Sequence, residues 1–351
     1  MARSGLSREC IALARVVAVA SLLVAPMGAS ATDWMNDVQD FRLPASSAGS
    51  WTVVAQSDGD GGGGEEAADG AAAAGGDSQG DSVRELSKKT ADPTGELALI
   101  FTQFGVTTND GDHNSGSDKV AGNIVFQPII PIPLYGRGRD EWRIVSRPTI
   151  ALEIAKPIPQ QEKNEFNRKT HLTDLNIPLP VAPPKNITGK WLLAFGPSFA
   201  LPTATDSDFG RKQFAAGATA IVGYLDDNWM AGVYPQTYFG ITDANRDEKE
   251  KRARYGNMFY WFWYNVTDSL QVGFNPTIQY DNKAGHGNKW NVPVGLALAK
   301  MVTIGDARFR IETGAEYSVI SEDDFGTRGL FKFNIIPIIP RPIQNPLFGG
   351  G

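Results

Sequence analysis

The chain has 351 residues, of which 42% are hydrophobic and 21% charged, with 38 glycines, 22 prolines and a single cysteine. Outside the first thirty residues no apolar run approaches the ~18 needed for a spanning helix, which excludes a helical membrane protein. Cys10 alone excludes a disulfide framework or a cysteine-based zinc site, and the net charge of −6 argues against nucleic-acid binding.

Residues 1–31 read as a secretory signal peptide. Arg3, Arg8 and Arg15 form the basic start, Val16 to Ala25 the apolar core, and Ala29 and Ala31 an A-x-A site with cleavage after Ala31. Cleavage removes Cys10, which precedes the apolar core and so does not fit a lipoprotein acylation site. Residues 32–95 read as a periplasmic tail. Its stretch 57–82 holds nine glycines, seven acids and no base, a composition that buries too little apolar surface to offset its ordering entropy. Most of the chain's acidity lies there, so the remainder from residue 83 onward is nearly neutral.

From about residue 96 the pattern changes to segments of about ten residues that alternate apolar and polar positions. Between Ala307 and Ser318, Phe309, Ile311, Ala315 and Tyr317 share one face, opposite Arg308, Arg310, Glu312, Glu316 and Ser318. Between Leu270 and Tyr280, Leu270, Val272, Phe274, Ile278 and Tyr280 oppose Gln271, Asn275, Thr277 and Gln279. A period of two means strands with one apolar face. About twelve such segments fit between 97 and 339. Their connections alternate between long (107–118, 156–169, 202–212, 242–255) and short (135–140, 181–188, 226–227, Thr267, 304–306), with two of intermediate length at 281–288 and 320–327. Short periplasmic turns and longer extracellular loops are the rhythm of a transmembrane β-barrel. A soluble sandwich also alternates, but has no reason for that rhythm.

The expected fold is therefore all-β: a transmembrane antiparallel β-barrel of about twelve strands over 96–340, with a C-terminal extension at 341–351. Trp142, Trp191 and Trp229 each open a strand after a short turn and are phased outward, while Tyr280 and Trp290 flank the 281–288 loop. These five are candidates for the aromatic girdles at the membrane interfaces. The inward phase holds the candidate pore lining: Arg143, Arg147, Glu153, Gln271, Asn275, Gln279, Arg308, Arg310, Glu312 and Glu316. Such charges fit equally an electrostatic ladder along a pore and paired braces of the wall.

Three motifs suggest chemistry and are outweighed. Gly76-Asp77-Ser78-Gln79-Gly80 matches a nucleophile elbow, but in a glycine-rich acidic tract without a strand–turn–helix context. Asp110, Asp112 and Asn114 open like a calcium loop, yet glycine falls at Gly116 and the twelfth position is Ala121. His171 and Asp174 lie close together with no nucleophile selected by spacing. The expectation is no enzyme, no metal and no cofactor.

The chain resembles the bacterial outer-membrane proteins of the "MetA-pathway of phenol degradation" family, often titled transporter or neuromedin U. The carrying stretches are Gln127-Pro128-Ile129-Ile130-Pro131-Ile132, Glu141 to Arg147, and above all Gly196 to Thr205, GPSFALPTAT, which is similar to the family's G-P-x-x-x-L-P-T-A-T. Trp229 to Gly232, Trp290 to Gly305 and Leu330 to Pro340 fit later positions. The family's G-x-G-D reads His171-Leu172-Thr173-Asp174 here, and its W-S pair reads Tyr238-Phe239. The resemblance implies an outer-membrane barrel that passes small, hydrophobic or aromatic compounds, and it supplies no catalytic residue. The expected partners are outer-membrane lipid, the barrel-assembly machinery and a small-molecule solute. A lipid-acting barrel enzyme and a structural or adhesive barrel are the alternatives.

Overall fold

The computed structural model describes residues 83–115, 119–241 and 252–348. The expected signal peptide, the 57–82 linker, the Gly76–Gly80 motif and part of the 242–255 loop lie outside the described residues.

The first element of the described residues is a helix, α1 (Val83–Ala91), within the segment assigned above to the tail. Sixteen strand segments follow among the described residues. They are β1 (Ala98–Asp110), β2 (Lys119–Tyr135), β3 (Trp142–Ser146), β4 (Ile150–Pro159), β5 (Phe166–Leu172), β6 (Leu175–Pro178), β7 (Val181–Ala182), β8 (Trp191–Leu201), β9 (Ala215–Leu225), β10 (Trp229–Gly240), β11 (Arg254–Asn265), β12 (Leu270–Phe274), β13 (Thr277–Asp281), β14 (Trp290–Ile304), β15 (Ala307–Ile320) and β16 (Gly326–Ile339). A short helix, α2 (Lys185–Thr188), sits in the connection before β8. The segments β3–β4, β5–β6–β7 and β12–β13 each form one interrupted crossing, so the wall has twelve antiparallel strands. Pairing of β1 with β16, from Ala98↔Ile339 to Asp110↔Gly326, closes the barrel.

The outer face is apolar. Phe104, Phe126, Phe195, Val222, Phe239, Leu296 and Tyr317 are all exposed. Only lipid makes such an exterior favourable, and only a closed sheet satisfies its backbone there. The tall β4–β5 hairpin continues with Lys156↔Lys169 and Pro157↔Arg168 in register. Pairing therefore persists beyond the apolar belt, and the expected 156–169 loop contracts to a tip at 160–165.

The fourth crossing is irregular because proline removes ladder donors at Pro178, Pro180, Pro183 and Pro184. Neighbouring backbone bonds keep the wall continuous: Val145 N to Pro180 O at 2.9 Å, Leu179 N to Pro197 O at 2.9 Å, and Thr149 N to Asn176 O at 2.8 Å. Gly196 is required here, since a Cβ would lie 2.2 Å from Leu179 O.

The half of the interior nearer the short turns is solid. Inward Val145, Leu192, Ala194, Ile221, Met230, Trp261, Trp263, Ala297 and Ala299 form one buried cluster, with Ala91 of α1 packed against it. The Trp261 indole lies over Gly232, where a Cβ would come 2.4 Å from its Cζ2. Gly232→Ala is expected to cost about 1–3 kcal/mol through overpacking. The readout is a lower temperature for conversion of the folded, fast-migrating gel band to the unfolded one; an unchanged temperature would contradict this packing.

Candidate functional site

The inward charges are set by strand phase. On β15, Arg310, Glu312, Gly314, Glu316 and Ser318 alternate toward the lumen, and on β3 Arg143 and Val145 do the same. Two groups separate by depth.

The deeper group is a buried network beneath α1. Arg310 Nε donates to Glu312 Oε1 at 2.6 Å, Nη1 donates to Gln271 Oε1, and the guanidinium lies 4.7 Å from the Trp263 ring centre. Glu312 Oε2 accepts from Asn334 Nδ2 at 2.9 Å and from Asn275 Nδ2 at 3.2 Å. Lys332 donates to the Asn275 carbonyl at 3.0 Å and pairs with Glu316. A buried charge is tolerated when it is paired and its remaining valences are bonded. Glu312 has both, and Glu316 has its pair with Lys332. Arg143 forms a separate pair with Glu141 at 3.0 Å, and Arg341 of the C-terminal extension also binds Glu141. Leu347 N then bonds to Pro133 O, tying that extension to β2.

The helix α1 closes the short-turn end. Leu86, Ser87 and Thr90 are buried, Arg310 Nη1 reaches the Ser87 carbonyl at 3.5 Å, and Thr90 Oγ1 lies 3.8 Å from Met301 Sδ. Its exposed side meets the turns: Arg84 with Asp268 at 3.6 Å and Lys88 with Asp227 at 3.7 Å. Just beyond it, Asp92 accepts from Lys185 at 3.0 Å and caps Thr94 N at 2.7 Å.

The second group borders a chamber of about 850 Å³ in the half nearer the loops. Of the candidate lining residues, Arg147, Glu153, Asn275, Gln279 and Glu316 border it, whereas Arg143, Gln271, Arg308, Arg310 and Glu312 do not. Tyr234, Tyr255 and Phe259 also border it, and strand phase alone did not single them out, because β10 and β11 carry aromatics on both faces.

The loop 202–214 folds over the chamber, and the GPSFALPTAT stretch builds its hinge. Pro202 ends β8, and the Thr203 and Thr205 hydroxyls accept Leu175 N at 2.9 Å and Leu172 N at 3.0 Å. Asp174 accepts Ala204 N at 3.1 Å and Arg211 N at 2.6 Å. Lys169 binds Asp206 at 3.2 Å and Asp208 at 2.7 Å, and Arg211 binds Asp281 at 2.5 Å. The Asp208 backbone N–H, and then the Lys169 ammonium, hold the Asp206 carboxyl below its ordinary range.

On the outer surface Trp191 stacks edge-on to Tyr224 at 5.2 Å, Tyr224 meets Trp229 at 5.7 Å, and Trp229 meets Phe262 at 6.3 Å. Trp142 is exposed at the same turn side. Tyr280 and Trp290 pair at 4.3 Å toward the loop end. Among the described residues no group of three or more His, Cys, Asp or Glu is placed to hold a metal ion.

Asp174→Ala removes two charge-assisted bonds to the loop backbone, each worth about 1.5–3 kcal/mol. It is expected to speed trypsin cleavage after Arg211 or Lys212 by about tenfold or more while leaving the barrel folded. Unchanged cleavage would show that the loop is held elsewhere.

No protein-family model and no curated protein matches the chain. Among solved structures it is similar to the COG4313 outer membrane channel from Pseudomonas putida F1, at 11% identity and a TM-score of 0.48 over 69% of this chain and 96% of that one. It is similar also to the NanC porin, at 10% identity and 0.38 over 68% and 98%. A third is outer membrane phospholipase A from Escherichia coli, at 13% identity and 0.36 over 72% and 90%.

Proposed function

We propose that this protein is an outer-membrane channel for small solutes with a hydrophobic or aromatic part, inserted by the barrel-assembly machinery. The observation that carries the reading is a chamber of about 850 Å³, with polar and aromatic walls, inside a closed barrel with an apolar exterior. A protein that only anchored or braced the membrane gains nothing from keeping such a chamber unfilled. The resemblance to the phenol-degradation family points the same way.

In this reading the long loops face outside, α1 faces the periplasm, and solute enters past the 202–214 loop. Arg147, Glu153, Asn275, Gln279 and Glu316 line the entry path, and their mixed signs give only a slight ion preference. The network under α1, including Gln271, Arg310 and Glu312, holds the exit shut. Arg143 and Arg308 belong to the short-turn end. Trp142, Trp191 and Trp229 mark the periplasmic interface, and Tyr280 with Trp290 the outer one.

One observation favours a lipid-acting enzyme as the second reading. His171 Nδ1 lies 3.1 Å from Thr205 Oγ1, and its Nε2 lies 3.7 Å from Asp206 Oδ2. That set places a hydroxyl, an imidazole and a carboxylate in sequence. However, Thr205 Oγ1 already accepts Leu172 N, and Asp206 is engaged by Lys169. Thr205→Ala abolishing phospholipid hydrolysis by the purified protein would establish the enzyme.

The channel reading is tested by uptake and topology together. Liposomes containing the protein without residues 83–95 are expected to take up small sugars faster than empty ones or ones with the intact protein, and to exclude disaccharides. A cysteine placed at Lys163 is expected to react with a membrane-impermeant maleimide in intact cells, and one at Asp306 only after permeabilisation. The reverse labelling would invert the orientation, and absence of uptake would remove the channel.

A further inference from the structure

Among the described residues four cationic side chains border the chamber. Three face a carboxylate: Lys156 with Glu153 at 4.0 Å, Arg211 with Asp281 at 2.5 Å, and Lys332 with Glu316. Arg147 does not. It is 9% exposed, and among the described residues its hydrogen-bond partner is the neutral Gln127, whose Oε1 takes Nε at 3.0 Å and Nη2 at 2.8 Å. Its guanidinium lies 5.5 Å from the Tyr234 ring centre and 5.4 Å from that of Phe259.

This arrangement fixes the guanidinium with no carboxylate in direct contact among the described residues; Glu312 acts on it only at longer range. Gln127 is itself oriented by its Nε2 bond to Thr149 Oγ1, and the two rings hold the charge from the sides. A buried cation with no counter-charge is costly unless an anion joins it. Among the described residues Nη1 has no protein acceptor, and a guanidinium suits a carboxylate particularly well. The surrounding wall supplies apolar surface from Phe101, Val125, Tyr255 and Phe259.

We propose that Arg147 is an anion-binding site inside the chamber, selecting small organic monocarboxylates with an apolar body. The proposal deepens the channel reading and rests on it for its physiological meaning, yet binding is measurable without transport. The bound carboxylate replaces water at Nη1, while its apolar body lies along the Phe101–Val125 side of the chamber.

The test is isothermal titration of the full-length protein in detergent with benzoate, benzamide and acetate. Benzoate is expected to bind about tenfold or more tightly than its neutral isostere benzamide, as befits one charge-assisted hydrogen bond. It should also bind more tightly than acetate. Arg147→Gln is expected to bring benzoate down to the benzamide level, whereas Lys156→Gln leaves the preference in place. Equal binding of benzoate and benzamide by the unaltered protein overturns the proposal, and needs no variant to fold. Retention of benzoate binding by a heat-modifiable Arg147→Gln barrel overturns it as well. Acetate binding as tightly as benzoate overturns the apolar-body selection. Benzoate binding without any solute uptake would leave the site standing and remove the channel.

Discussion

The structure depends on one constraint: in lipid, each backbone N–H and C=O of the wall needs a partner within the protein. Closure by β1 and β16 meets it for the sheet as a whole. The harder places are those where proline withholds a donor. Between β12–β13 and β14 the ladder is interrupted around Pro276 and Pro293. Tyr260 of β11 serves the carbonyls of both prolines, its N donating to Pro276 O at 3.1 Å and its hydroxyl to Pro293 O at 2.7 Å. The Asn275 carbonyl, turned inward by the same break, is taken by Lys332. The break at Asn275 is thus converted into an acceptor for the interior.

Closure in turn decides what the interior must contain. Eight strands leave room only for side chains, and sixteen leave an aqueous pore. Twelve leave a space that the sequence divides. Large apolar side chains and α1 fill the half nearer the short turns, and the polar half stays open as the chamber. The network from Arg310 through Glu312 and Asn275 to Lys332 and Glu316 runs between the two. Because Arg310 also reaches the Ser87 carbonyl, the helix and the chamber share one set of buried contacts.

Much of the wall was legible because period-two alternation and loop rhythm are properties of neighbouring residues. The phase that placed Arg310 and Glu312 inward and Trp191 outward follows from that alone. The family-like GPSFALPTAT stretch was legible as a motif, but its work was not. Thr203 and Thr205 accept wall backbone donors whose proximity arises only in the closed sheet. The solid half of the interior left no period-two signal either. On β8 and β11 both faces are apolar, so Leu192 or Trp263 reads no differently from a lipid-facing neighbour. Gly223 and Gly232 beside Trp261 were the available hint, since side-chain-free positions in a strand mark a close approach. The helix α1 escaped because nine polar-rich residues are too short to be helical by propensity; it is held by what the barrel offers it. That Arg147 bonds to Gln127 and forms no ion pair among the described residues is likewise a three-dimensional fact.

In the proposed reading a channel is present and α1 closes its short-turn end. Single-channel conductance in planar bilayers, comparing the intact chain with one lacking residues 83–95, tests it most directly. The intact protein is expected to show rare or very small openings and the shortened one a steady, larger conductance. Identical conductance in the two proteins, or none in either, would contradict it.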